Sequence, residues 1–140
     1  MKVIKLLSSA LFITALSVST LGANQPQVKK PFLIQGELPH LTGMVYILWD
    51  DEDVALTQKQ KTELLAVKKE TMNKIKPLGK IINALEAKIV KASANGAKPE
   101  TLKESLSRLA SLRAEATMAH LNCIYNTRAL LSEEQLEIIE

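Results

Sequence analysis

Leu56-Thr57-Gln58-Lys59-Gln60-Lys61-Thr62-Glu63-Leu64 opens a run that continues to Ala94, and the reading of this run decides the fold. Thr57 has the chemistry of a helix N-cap, because its hydroxyl can accept from an unpaired backbone N–H of the first turn. Gln60, three residues on, can bond back to the Thr57 N–H, which completes a capping box. Apolar residues then recur at Leu64, Val67, Ile75, Leu78, Ile82, Leu85, Ile89 and Ala92. From Ile75 the steps alternate between three and four, as in a helix that buries one narrow seam against another helix. Thr71 is the polar member of the series. Lysines and glutamates fill much of the remainder, which predicts a solvated opposite face. One long helix is expected over Leu56–Ala94, with a kink near Lys74–Pro77, since proline removes a backbone bond and crowds the preceding turn.

Outward from this helix, Ser93-Ala94-Asn95-Gly96-Ala97-Lys98 reads as a turn, with Asn95 and Gly96 tolerant of the left-handed conformation. Pro99 suits the first position of a following helix, and Glu100 its first turn. That helix is expected to reach Arg128 or Leu130 and to carry the seam through Leu102, Leu106, Leu109, Leu112, Ala116, Ala119 and Cys123. Leu131-Ser132-Glu133-Glu134-Gln135 then repeats the opening pattern. Ser132 is the cap of a short last helix, and Leu131 with Leu136 can form a hydrophobic staple.

Leu56, Thr57 and Gln60, followed by Leu131, Ser132 and Gln135, resemble the paired motifs of the LTxxQ family of small bacterial periplasmic proteins, which includes Spy and CpxP. Serine replaces threonine in the second copy and keeps the hydroxyl. The resemblance spans Leu56 to Ile139. It implies a cradle-like homodimer of helical hairpins that acts as an ATP-independent chaperone or envelope-stress accessory protein. The partners it implies are unfolded or misfolded envelope proteins and the periplasmic part of a sensor kinase.

Residues 1–23 read as a secretory signal peptide: Lys2 and Lys5, an apolar stretch from Leu6 to Leu21, then small residues ending at Ala23. They predict export to the periplasm and no stable membrane insertion after removal. Without Lys2 and Lys5, the 18 basic residues become 16 against 15 acidic ones, so the basic balance belongs largely to the leader. Basic residues are spread along helices rather than clustered, which argues against a nucleic-acid partner. With one Trp, two Tyr and two Phe, the chain suits a thin helical hairpin better than a thick core. Residues 24–40 contain Pro26, Pro31 and Pro39 and are expected to form a flexible arm, with Phe32, Leu33 and Ile34 as a candidate anchor. Residues 41–140 form the helical domain. It begins with a short apolar helix over Leu41–Trp49 that either packs between other elements or leaves an exposed binding patch. Asp50-Asp51-Glu52-Asp53 is an acidic linker ahead of a helix N-terminus or a cation site, though it lacks the ligand alternation and glycine of a calcium loop. The fold class is therefore all-α: a long kinked hairpin with short first and last helices, assembled as a homodimer.

Two functional constellations stand out. Lys68, Lys69, Lys76, Lys80, Arg108 and Arg113 can attract acidic client segments at long range. Met44, Ile47, Met72 and Leu78 can then hold apolar segments weakly. The ordinary alternative for the basic residues is solvation of a helix face. Separately, His120 and Cys123 lie three apart on a helix and so are neighbours, and hairpin pairing brings Met72 opposite them. Imidazole, thiolate and thioether are ligands for zinc, copper or nickel. The ordinary alternative is a small core cysteine with a histidine at the seam's edge. His40 with Met44 is a second, weaker pair. No other cysteine accompanies Cys123, so an intrachain disulfide is excluded. No phosphate loop, His-Glu-x-x-His motif or nucleophile with a placed base is legible, so no enzymatic activity is expected, and no cofactor beyond such a metal.

Overall fold

In the computed structural model, residues 30–36 and 38–140 are described. The expected leader over residues 1–23, its expected cleavage point and the first part of the arm lie outside them. The described residues form four α-helices: α1 (Leu41–Ile47), α2 (Gln58–Ala94), α3 (Pro99–Ala129) and α4 (Glu133–Ile139). No strand occurs among them. α2 and α3 pair along their length as an antiparallel hairpin, and α1 packs against α3 and α4 at its open end.

The helix ends follow from local chemistry. Thr57 is extended (φ −68°, ψ 156°) and caps α2. Its hydroxyl accepts from the Gln60 N–H at 3.2 Å, and its own N–H donates to Gln60 Oε1 at 2.9 Å. The helix therefore begins at Gln58 and not at Leu56. The residue before the motif, Ala55, is left-handed (φ 47°), a conformation that the Cβ of an L-residue resists. α2 runs unbroken through Pro77. At its far end Gly96 adopts φ 79°. The Ala97 N–H reaches back to Ala92 O at 3.0 Å and the Gly96 N–H to Ser93 O at 3.0 Å. Those two bonds make a Schellman cap, which needs a residue free to turn left-handed. Pro99 opens α3, where its missing N–H leaves no bond unmade. Ser132 caps α4 with the same reciprocal pair: Gln135 N–H to Ser132 Oγ at 3.2 Å and Ser132 N–H to Gln135 Oε1 at 3.0 Å.

Two apolar clusters hold the molecule. At the open end Leu41, Val45, Val54, Leu64 and Ile139 are buried, flanked by Met44, Leu48, Trp49, Leu56, Leu130, Leu131 and Leu136. Leu131 and Leu136 thus serve the same cluster, as a staple requires. Halfway along the hairpin, Leu78, Ile82 and Ala116 are buried against Phe32, Leu109 and Leu112. Each fully buried Leu or Ile contributes about 1.5–3 kcal/mol relative to exposure. Toward the turn the seam thins to half-buried Leu85, Ile89 and Leu102.

Two boundaries, the start of α2 and the end of α1, and one seam position differ from the sequence reading. α1 ends at Ile47, two residues early, because the chain must turn into the acidic segment. There Asp51 Oδ1 accepts from the N–H groups of Asp53 (2.9 Å) and Val54 (3.2 Å), and Asp50 pairs with Lys61 at 2.7 Å. α3 ends at Ala129. Leu106 is half exposed and Ser105 takes the inward place. A four-residue step from Leu102 overshoots the seam, leaving Leu106 about 80° round the helix from its centre at 100° per residue.

Candidate functional site

The arm is tied down where it is described. Arg113 Nη1 donates to the carbonyls of Lys30 (3.2 Å) and Phe32 (3.0 Å), while its Nη2 pairs with Glu86 at 2.8 Å. The Leu33 N–H donates to Thr117 Oγ1 at 2.7 Å. These bonds hold the Phe32 ring stacked on the His120 imidazole, with centroids 4.8 Å apart and planes 18° from parallel. Phe32 is therefore the anchor; Leu33 and Ile34 remain exposed.

Beneath this strap lies a partly open cavity of about 300 Å³ between α1, α2 and α3. His120, Cys123 and Met72, the three residues singled out as metal ligands, all line it. α3 supplies the first two from adjacent turns, and α2 supplies Met72 because the hairpin register sets it opposite. His40 joins them, its ring 5.5 Å from that of His120. Met44 does not, since it turns to the open-end core. Cys123 is buried, and its Sγ lies 3.1 Å from Thr42 Oγ1, which in turn lies 3.0 Å from Thr127 Oγ1. No group of three or more His, Cys, Asp or Glu side chains is gathered for a metal among the described residues.

Two of the residues that line the cavity carry shielded polar atoms. His120 is only 9% exposed, and its Nδ1 has no hydrogen-bond partner. Burial, then the nearby charges of His40 and Lys30, hold the imidazole below its ordinary pKa of 6.5, so it is neutral at physiological pH. Tyr46 Oη is likewise buried without a partner, and desolvation pushes the phenol pKa up. Lys68 Nζ stands 3.6 Å from the centre of the Tyr46 ring, a cation–π contact, and Tyr46 stacks on Trp49 at 4.6 Å. Tyr46, Thr42 and Phe32 were not identified from sequence as site residues. Their place depends on how α1 and the arm cross α3, for which no local spacing gives a signal.

The two capping boxes meet in space. Gln60 Nε2 donates to Gln135 Oε1 at 2.7 Å and to Leu130 O at 2.8 Å. Gln135 Nε2 donates to Val54 O at 2.9 Å and lies 3.3 Å from Gln60 Oε1. The motif glutamines thus cap their own helices and also clasp each other across the open end.

The residues proposed to meet clients divide. Ile47 is 83% exposed, Met72 is partly exposed, and Lys68, Lys69, Lys76, Lys80 and Arg108 reach solvent. Leu78 is buried in the central core and Met44 packs against the other, so neither presents a surface. Arg113 is committed to Glu86 and the arm. Lys80, Lys88 and Arg108 rim a shallow groove floored by Ile81, Ala84 and Leu85. No described helix is long and apolar enough to cross a membrane. Geometry therefore defines the class of molecule as a thin all-helical hairpin clasped at its open end. Compared with known protein families, curated proteins and solved structures, the chain matches none.

Proposed function

We propose that this chain is an ATP-independent periplasmic chaperone or envelope-stress accessory protein of the LTxxQ kind, acting by weak binding of unfolded envelope proteins. The observation that carries this reading is the groove beside Ile81, Ala84 and Leu85 with its rim of Lys80, Lys88 and Arg108. A basic rim speeds encounter with acidic segments, and an apolar floor holds exposed side chains by area burial. Leu65, Met72 and Val90 are exposed on the other flank of α2, about half a turn round the helix from Ile81. In this reading the chain is no enzyme, and a sensor kinase is a further partner. The test is suppression of aggregation of a chemically unfolded client without nucleotide. Protection is expected, weakened several-fold by Ile81→Ser and by high salt. Full protection by a Lys80→Glu, Arg108→Glu variant would show that the groove is not the binding face.

A second reading, a soft-metal binder, is favoured by Met72, His120 and Cys123 sharing one cavity. Titration with zinc, copper or nickel tests it. Stoichiometric binding lost in Cys123→Ala is expected, and an unchanged affinity in that variant would remove it.

A further inference from the structure

The arm over residues 30–36 forms neither helix nor strand, and it lies in the groove between α2 and α3. The groove holds it by its backbone. The Arg113 guanidinium donates to the carbonyls of Lys30 and Phe32, and Thr117 Oγ1 accepts from the Leu33 N–H. Glu86, on the facing helix, pairs with Arg113 and keeps it in position for this. Gly79, in the interior of α2, leaves room for the crossing: a Cβ there would already touch Pro31 at 3.9 Å. The Phe32 ring packs on the core of Leu78, Ile82 and Ala116 and stacks on His120. Lys30, Leu33, Ile34 and Gln35 are exposed. The groove therefore reads three backbone groups, which every polypeptide carries, and one aromatic ring.

We propose that this groove is a site for a non-helical segment of an unfolded protein that carries a phenylalanine, and that the chain's own arm fills it until such a segment displaces it. A charge-assisted bond from a guanidinium to a carbonyl is blind to side-chain identity, and an aromatic ring brings a large apolar area through one residue. Inside a helix or a sheet the same backbone groups are already engaged, so the site selects segments outside regular structure. The arm leads directly into α1, and a short tether gives an effective concentration of about millimolar. A client must compete with it, and its apparent affinity falls with the fraction of chains in which the groove is open. The assignment rests on the reading of the chain as a binder of unfolded segments, but its surface shares no residue with the groove at Ile81.

The probe is a dye-labelled peptide with the sequence of residues 30–36, compared with the same peptide carrying Phe32→Ser. Each is titrated into the chain from residue 24 onward, followed by fluorescence anisotropy and by proton–carbon NMR of the His120 ring. One-to-one binding is expected, several-fold tighter to the Phe32→Ala chain, whose arm has lost its anchor. There the peptide should restore the ring-current shift of His120 that Phe32 causes in the unaltered chain. The Phe32→Ser peptide should not bind. Thr117→Val, nearly the same in shape, should weaken binding by removing one backbone bond. Ile81→Ser should weaken aggregation suppression and leave peptide affinity unchanged, so that each idea can fail alone. No saturable binding to the unaltered chain, equal affinity for the two peptides, or equal affinity for the unaltered and Phe32→Ala chains would overturn the assignment. So would a fall in affinity in Ile81→Ser. Loss of the His120 shift on dilution of the unaltered chain would put a second copy's arm in the groove, and would overturn it as well.

Discussion

His120 shows how a single residue links burial to solution behaviour. Its pKa lies below 6.5 because burial, and then His40 and Lys30, disfavour the imidazolium. The unfolded chain therefore binds a proton at pH values where the folded chain does not. Between the two pKa values the unfolded state carries more protons, so stability rises with pH across that window. The contribution is fully present above 6.5 and is lost as pH falls toward the folded pKa. The melting temperature is expected to fall between about pH 7.5 and about pH 5, the range in which an imidazole titrates. His120→Leu should flatten that part of the profile. Glu70, beside Lys74, and Glu134, held by its own backbone N–H and the Ser132 hydroxyl, both lie below 4.5. An unaltered slope in His120→Leu would show that another group drives the dependence.

Between elements, the decisive feature is the glutamine clasp. As a cap alone, Thr57→Ala or Ser132→Ala should cost about 0.5–2 kcal/mol. The clasp adds a prediction that separate caps would not make. Gln60 and Gln135 each bond to the other and to a backbone carbonyl on another segment. Gln60→Ala therefore strips Gln135 of a partner as well, and the converse holds. Side chains sharing such a network are coupled by about 0.5–3 kcal/mol. In urea denaturation the double variant should be destabilised by clearly less than the sum of the single ones. Strict additivity would mean that the two boxes act independently and that the pairing of their glutamines contributes nothing.

For the molecule as a whole, the question is what covers its remaining apolar surface. Leu65, Met72, Ile81, Val90 and Leu106 stay exposed along the hairpin. α1 contributes less than its composition suggests, since Leu41 and Val45 are buried within the chain and Ile47 alone among its large apolar residues is strongly exposed. A two-fold dimer is the commonest way to cover such surface. We expect light scattering at micromolar concentration to give twice the chain mass, and Val90→Lys to shift it toward the monomer. A monomeric mass for the unaltered chain would leave the exposed surface to clients alone.

The four helices and their capped ends were legible in the chain because they depend on contacts three or four residues apart, whereas α1, which has no such cap, ends two residues early. Thr57 with Gln60, Ser132 with Gln135, Gly96 and Pro99 each act within one turn of helix, and each lies where its chemistry places it. The long seam was legible for the same reason, except at Leu106, where an acceptable local spacing drifted off the true contact line. Bringing Met72 opposite His120 and Cys123 also needed only the hairpin register. That the two motif glutamines bond to each other, that Arg113 holds the arm, and that Tyr46 and His120 line one cavity followed from tertiary packing alone. Those outcomes depend on where α1, α4 and the arm dock. Docking is set by shape and by the satisfaction of polar groups more than 70 residues apart in the chain, and no periodicity in one strand of sequence encodes that distance.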